Sequence, residues 1–207
     1  MDFSRHPGCQ TLKAWLNMYD VTQAAILLAL GTAFALALNG VAISEFVVPL
    51  WSSVPARLLV PTLTGVAVAV AAASHHRWVD VFGSSVSAAA RSLWTATVTG
   101  VALLTVTLPG LATDPPLTAG PVIRNFFIFT ALALSGTAAA SSKWAWVGPA
   151  AYSLLCLVFG QSRSGSGGFQ WWAGILEETT SPHATYIAIS MYLLAFVSLL
   201  IADGRRE

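Results

Sequence analysis

Six long apolar stretches decide what this chain can fold into. Each approaches the roughly 20 residues that an α-helix needs to cross about 30 Å of hydrocarbon. Only 9% of the residues are charged, against about 25% in soluble domains, which leaves too little charge to cover a water-facing surface. We therefore predict an all-α integral membrane protein, with one transmembrane domain over residues 1–207. The six predicted transmembrane helices are 21–44, 57–74, 92–113, 122–141, 144–161 and 184–202.

The distribution of lysine and arginine predicts the orientation, because cytoplasmic loops carry an excess of these residues. An inner N-terminus places most of the basic residues of the loops and tails on the cytoplasmic side. We therefore predict a multi-pass protein of the cytoplasmic (plasma) membrane with both termini in the cytosol, including the tail 203–207. The inner residues are then Arg5, Lys13, Arg77, Arg91, Lys143, Arg205 and Arg206, and the outer ones are Arg57, Arg124 and Arg163.

The first 20 residues form an apolar stripe at helical spacing. Leu12, Trp15, Leu16 and Tyr19 recur at intervals of three and four, whereas Lys13 lies off the stripe. This pattern is typical of an amphipathic helix in the headgroup layer. We predict an interfacial helix within residues 1–20, and an untethered tail is the alternative.

Residues 75–91 form a polar island between the second and third spans, on the predicted cytosolic side. Its apolar residues recur at helical spacing and are flanked by basic side chains. We predict a short cytosolic helix that docks onto a partner protein, and a solvated loop is the alternative. The predicted partner-binding residues are Arg77, Val79, Phe82, Val86 and Arg91.

The outer loop 162–183 combines a glycine-serine run with an apolar piece. That piece carries Trp171 and Trp172 and ends at Glu177 and Glu178. About ten apolar residues are too few to span a membrane, so we predict a re-entrant or interfacial segment before the last span. The other two outer loops are predicted to be a short interfacial turn over 45–56 and a stiff, proline-rich link over 109–121.

No pattern in the sequence supports an active site. The phosphate-binding loop of nucleotide hydrolases is missing, and no cysteine or histidine spacing fits a metal site. Span centres lack ionisable residues, and Arg124 lies within about a turn of an outer end, which argues against ion-coupled transport. A net charge of +1 does not point to nucleic acid. We predict no catalytic residues, no metal and no cofactor.

This layout resembles the permease subunits of ABC-type exporters of the type-2 permease class. The shared features are six spans, an N-terminal interfacial helix, a cytosolic helix between spans two and three, and a re-entrant piece before span six. The alanine- and valine-rich spans and the Trp-Ala-Trp and Gln-Trp-Trp-Ala-Gly stretches are similar to actinobacterial members. Outer loops here are shorter than a large substrate-handling domain requires.

The resemblance implies a transmembrane subunit that exports a peptide, lipid or hydrophobic antibiotic. Its partners would be a separate ATP-binding subunit, which hydrolyses the ATP, a second permease copy or homologue, and membrane lipids. Residues 76–91 would be the coupling helix. The segment 168–178 would be the outer gate, with Trp171, Trp172, Glu177 and Glu178 along it. The alternatives are a non-transporting anchor or regulatory subunit and, less favoured, a membrane enzyme or an ion-coupled transporter.

Overall fold

The computed structural model of the chain describes residues 21–38, 40–45, 49–73, 84–111, 119–161, 169–179 and 181–204. The predicted interfacial helix within 1–20 and the partner-binding residues Arg77, Val79 and Phe82 lie outside these ranges. Most of the described residues are helical, as the sequence predicted.

Six α-helices, one β-hairpin and three short 3-10 helices make up the described part of the chain. The α-helices are α1 (Val21–Ala37), α2 (Pro61–Ala72), α3 (Ser84–Leu111), α4 (Ala119–Ala139), α5 (Val147–Phe159) and α6 (Pro182–Gly204). The strands are β1 (Ala42–Glu45) and β2 (Pro49–Pro55), and the 3-10 helices are Ala56–Leu59, Ser142–Trp144 and Trp171–Leu176.

Three of these helices are long and apolar enough to cross a membrane. They are Ser92–Pro109 within α3, Ala119–Ala139, which is α4, and Pro182–Ala202 within α6. Two shorter apolar helices, Val21–Ala37 and Ala56–Ala72, have fewer than 18 residues, and α5 has 13. The described residues are thus compatible with a membrane protein that has at least three spanning helices.

Helix α4 is the centre of the bundle, since it packs along α2, α6 and α5 and also contacts α3. Its buried side chains include Phe126, Phe129 and Leu134, which form the core with residues of α2 and with Leu199 of α6. Helix α6 packs on α4 through aromatic contacts, with the ring centroids of Phe127 and Tyr192 5.5 Å apart. Most of the remaining surface of α6 is apolar and exposed, as expected of a helix that faces lipid.

The contact between α2 and α4 is close because α2 carries Gly65. A Cβ atom at this position would lie 2.9 Å from the Thr130 backbone nitrogen and 3.0 Å from the Phe129 carbonyl carbon. Small residues let two membrane helices approach until their backbones nearly touch. A side chain at position 65 would therefore separate the two helices.

The hairpin differs from the interfacial turn that the sequence predicted over 45–56. Strands β1 and β2 pair antiparallel, with Ala42 opposite Pro55 and Ile43 opposite Val54. Pro49 and Pro55 are the first and last residues of β2, which are positions where proline costs little ladder hydrogen bonding. The hairpin leads directly into the 3-10 helix Ala56–Leu59 and so fixes where α2 begins.

Helix boundaries also differ from the prediction at the prolines and before the third span. Pro121 is the third residue of α4, where its missing N–H has no intrahelical partner in any case. Pro109 lies in the last turn of α3, so the predicted proline-rich link over 109–121 is shorter than expected.

Helix α3 starts at Ser84 and continues without a break into the apolar span. Val86 and Arg91, assigned to a separate docking helix, are therefore part of α3.

Candidate functional site: a loop segment held by buried polar side chains

Residues 169–179, here called the docked segment, connect α5 to α6 and pack against the bundle. The segment contains the 3-10 helix Trp171–Leu176, whose backbone departs from helical geometry at Ala173. Ala173, Ile175 and Leu176 are buried and belong to the main core cluster. This is the apolar piece that the sequence singled out, and burial explains why it is apolar.

Two adjacent polar residues of α4 hold the docked segment in place. Arg124 and Asn125 are five and six residues past Ala119, on a helix that is otherwise largely apolar. Their side chains are 3% and 0% exposed. Burying polar groups to this extent is costly unless each one finds a hydrogen-bond partner.

Asn125 joins two separate loop segments to α4. Its Nδ2 donates to the carbonyl oxygen of Leu58 at 2.9 Å and to the carbonyl oxygen of Ile175 at 2.7 Å. Both amide hydrogens are therefore used. Leu58 precedes α2 and Ile175 precedes α6, so a single side chain brings the starts of α2, α4 and α6 together. We call this the hairpin end of the bundle.

The guanidinium of Arg124 continues the same network. Its Nε donates to Asn125 Oδ1 at 3.0 Å, its Nη1 to the Thr179 carbonyl at 3.0 Å and its Nη2 to the Glu177 carbonyl at 2.9 Å. These acceptors are all uncharged oxygens. The buried positive charge is thus stabilised by carbonyl dipoles, and those carbonyls belong to the last residues of the docked segment.

Helix α5 holds the other half of the segment. The hydroxyl of Tyr152 donates to the Trp172 carbonyl at 2.5 Å. At the end of α5, the backbone nitrogen of Gln170 donates to the Gly160 carbonyl at 2.7 Å. A Cβ at Gly160 would lie 2.6 Å from the Cβ of Ala173, so this close approach requires glycine. Side chains of α4 and α5 together hold carbonyls of the docked segment from Trp172 to Thr179.

The sequence-predicted gate residues occupy different positions on this segment. Trp172 is half-buried, whereas Trp171 is 90% exposed. Glu177 contributes its backbone carbonyl to Arg124, and Glu178 is exposed. Among the predicted partner-binding residues, Val86 and Arg91 lie in the first two turns of α3, far along the chain from this cluster.

In the sequence, Arg124 was recognised only as a residue near the end of a predicted span, and Asn125 was not recognised as a site residue. An Arg-Asn pair inside an apolar helix was the available signal, because polar residues within membrane helices are rare and usually functional. Their partners are backbone carbonyls, which leave no trace in the sequence.

A second polar contact links α3 to α6. Thr99 Oγ1 donates to the Thr95 carbonyl at 2.7 Å, and its oxygen lies 3.0 Å from the Tyr192 hydroxyl. Since a hydroxyl has one proton to donate, Tyr192 donates to Thr99 here. This hydrogen bond ties α6, which otherwise rests on α4, to α3 as well.

The described residues hold no group of three or more His, Cys, Asp or Glu side chains that could bind a metal ion. The arrangement of Arg124, Asn125 and Tyr152 is suited to fixing a chain segment, since its donors point at backbone carbonyls. Comparisons with protein-family models, with curated proteins and with solved structures find no match to this chain.

Proposed function

We propose that this chain is the transmembrane subunit of an ATP-driven exporter in the cytoplasmic membrane. Its cargo would be a peptide, a lipid or a hydrophobic antibiotic, and ATP hydrolysis would take place in a separate subunit. The observation that carries the proposal is the docked segment, whose apolar 3-10 helix Trp171–Leu176 packs against the bundle shortly before the last helix. Type-2 permeases, which the sequence resembles, have a re-entrant piece at this place.

In this proposal all six α-helices cross the membrane, and the hairpin end faces outward. Helix α4 has 21 residues and a length of about 31 Å, which matches the hydrocarbon thickness. The shorter helices α1, α2 and α5 would reach across with help from the flanking residues and local thinning of the bilayer. Trp144 and Trp146 precede α5 and are more than half exposed, which suits the inner interface.

The start of α3 supports a connection to a cytosolic partner. The helix begins at Ser84, eight residues before the apolar window Ser92–Pro109. These eight residues extend the helix by about 12 Å beyond the hydrocarbon. We propose that this extension, together with Arg77, Val79 and Phe82, contacts the ATP-binding subunit. A continuous helix would carry the partner's movement directly into the bundle.

The docked segment would act as the outer gate in this scheme. Opening it requires that the carbonyls of Ile175, Glu177 and Thr179 leave Asn125 and Arg124. Replacing both Glu177 and Glu178 with alanine removes two carboxylates but leaves those backbone carbonyls in place. We expect altered export with normal assembly in this double variant. Unchanged export would argue against a gating role for these carboxylates.

Affinity purification from gently solubilised membranes tests the proposal as a whole. We expect a stoichiometric nucleotide-binding chain and vanadate-sensitive ATP turnover. Phe82→Asp should release that chain without loss of membrane insertion. Ser141→Asp is the matched control, because it adds the same charge on the proposed inner side but outside the proposed contact. Retention of the partner by Phe82→Asp would contradict the docking role.

A second candidate function is a non-transporting anchor or regulatory subunit. The observation that favours it is that both amide hydrogens of Asn125 donate to backbone carbonyls and so hold chain segments together. A network of this kind suits a static scaffold as well as a gate. The same purification separates the two functions, since an anchor would bring partners that do not bind nucleotide.

A further inference from the structure

Trp171 is the one exposed residue of the 3-10 helix Trp171–Leu176 in the docked segment. Its side chain is 90% exposed, while Ala173 and Ile175 nearby are fully buried. The backbone on both sides of it is fixed, because Gln170 donates to the Gly160 carbonyl and the Trp172 carbonyl accepts from Tyr152. A large apolar ring is therefore held in a defined position outside the bundle.

The docked segment lies near one end of the membrane-spanning helices. Asn125, which holds Ile175, is six residues past Ala119, or about 9 Å from the start of α4. Gly160, which touches Ala173, follows the last residue of α5. The first contact places the segment in the outermost third of α4, which is about 31 Å long, and the second places it at the end of α5. In a bilayer this level corresponds to the edge of the hydrocarbon.

The other end of α5 shows the same kind of residue. Trp144 and Trp146 stand just before α5 and are 57% and 58% exposed. Exposed tryptophans thus flank α5 at both ends. Indole rings prefer the two membrane–water interfaces, where the ring lies against acyl chains and the N–H reaches water or headgroups.

The surroundings of Trp171 favour lipid over a protein partner or a water-filled path. The segment docks on α5, and that helix exposes Leu154, Leu155 and Phe159. An apolar helix face of this kind belongs in the acyl chains, so the segment lies beside a lipid-facing surface. We propose that Trp171 inserts into the headgroup layer of the leaflet at the hairpin end and anchors the docked segment to phospholipid.

This anchor depends on membrane insertion but not on the exporter proposal. It gives the docked segment two attachments, since the side chains of α4 and α5 hold its backbone and the bilayer holds Trp171. The indole ring then lies on the lipid side of the docked segment, while Trp172 is half-buried and Glu178 is exposed.

Fluorescence quenching of the full chain in phosphatidylcholine vesicles tests the anchor. The probes are phospholipids brominated near the headgroup or near the chain end, and aqueous iodide. Since the chain has 8 tryptophans, the signal that disappears in Trp171→Phe should be roughly one-eighth of the total. We expect this lost signal to be the part quenched most strongly by bromine near the headgroup. Trp172→Phe is the matched control and should leave the shallow quenching in place.

Two outcomes would overturn the proposal. Quenching of the Trp171 signal by iodide alone would place the ring in a water-filled path, and protection from every quencher would place it under a protein partner. A nitroxide on Trp171→Cys, in a chain without Cys9 and Cys156, provides a second measurement if Trp171→Phe folds poorly. Its accessibility to oxygen and to a water-soluble nickel complex should report a position at the hydrocarbon edge. A position in bulk water or in a site closed to both reagents would overturn the anchor as well.

Discussion

Replacing Asn125 with leucine removes the side chain that joins three parts of the fold. Leucine has the same branch at Cγ as asparagine and is the larger side chain, so the change leaves no cavity in the bundle. It does remove both amide donors and the Oδ1 acceptor. The carbonyls of Leu58 and Ile175 and the Nε of Arg124 then lose their partner while they remain buried.

The cost follows from the number of groups left unsatisfied. Each unsatisfied buried polar group costs about 1–3 kcal/mol in soluble proteins. Side-chain hydrogen bonds inside membrane proteins average only about 0.6 kcal/mol, which sets the lower limit. For three groups we expect Asn125→Leu to lower the free energy of unfolding by about 2–9 kcal/mol. Reversible unfolding in mixed detergent micelles measures this difference.

Thr137→Val is the matched control on the same helix. Thr137 is as buried as Arg124, but its hydroxyl donates to the Ala133 carbonyl within α4. That carbonyl keeps its helical hydrogen bond when the hydroxyl is lost, so we expect a loss below about 1 kcal/mol. Hydrogen exchange at Ala173–Glu177 should accelerate in Asn125→Leu and not in Thr137→Val. Equal stability of the two variants would refute the role assigned to Asn125.

Two further predictions concern helix packing. Gly65→Ala should lower the free energy of unfolding by about 1–3 kcal/mol, because its Cβ meets the immobile backbone at Thr130. Gly100→Ala is the control, because a Cβ at position 100 meets no atom within 4 Å, and it should be neutral or stabilising by up to about 1 kcal/mol. Equal losses of stability in both variants would contradict the close approach of α2 and α4. A double-mutant cycle with Tyr192→Phe and Thr99→Val should give a coupling of about 0.6 kcal/mol, whereas additive effects would mean that the hydroxyls do not interact.

The sequence predicted a mostly helical chain because apolar length is what a spanning helix requires, and three of the described helices are long and apolar enough to cross a membrane. The apolar piece after the glycine-serine run was recognised as a separate element for the same reason. In each case a local pattern carries the information.

The β-hairpin and the polar network could not be read in the same way. Strands β1 and β2 are short, and β2 begins and ends with proline, so they give no clear alternation of apolar and polar residues. The partners of Asn125 lie 67 and 50 residues away in the chain. Their acceptors are backbone atoms that every residue possesses, so the sequence gives no sign of which ones Asn125 contacts.

Thiol labelling at the two ends of α5 tests the proposed architecture most directly. This helix has 13 residues and is the shortest of the six proposed spans except for α2, so the six-span arrangement depends on it. The variants are Ser166→Cys and Ser141→Cys, each in a chain without Cys9 and Cys156. We expect an impermeant reagent to label position 166 in intact cells and position 141 only after lysis. Labelling of both positions from the same side would contradict the six-span account, and the reverse pattern would invert its orientation.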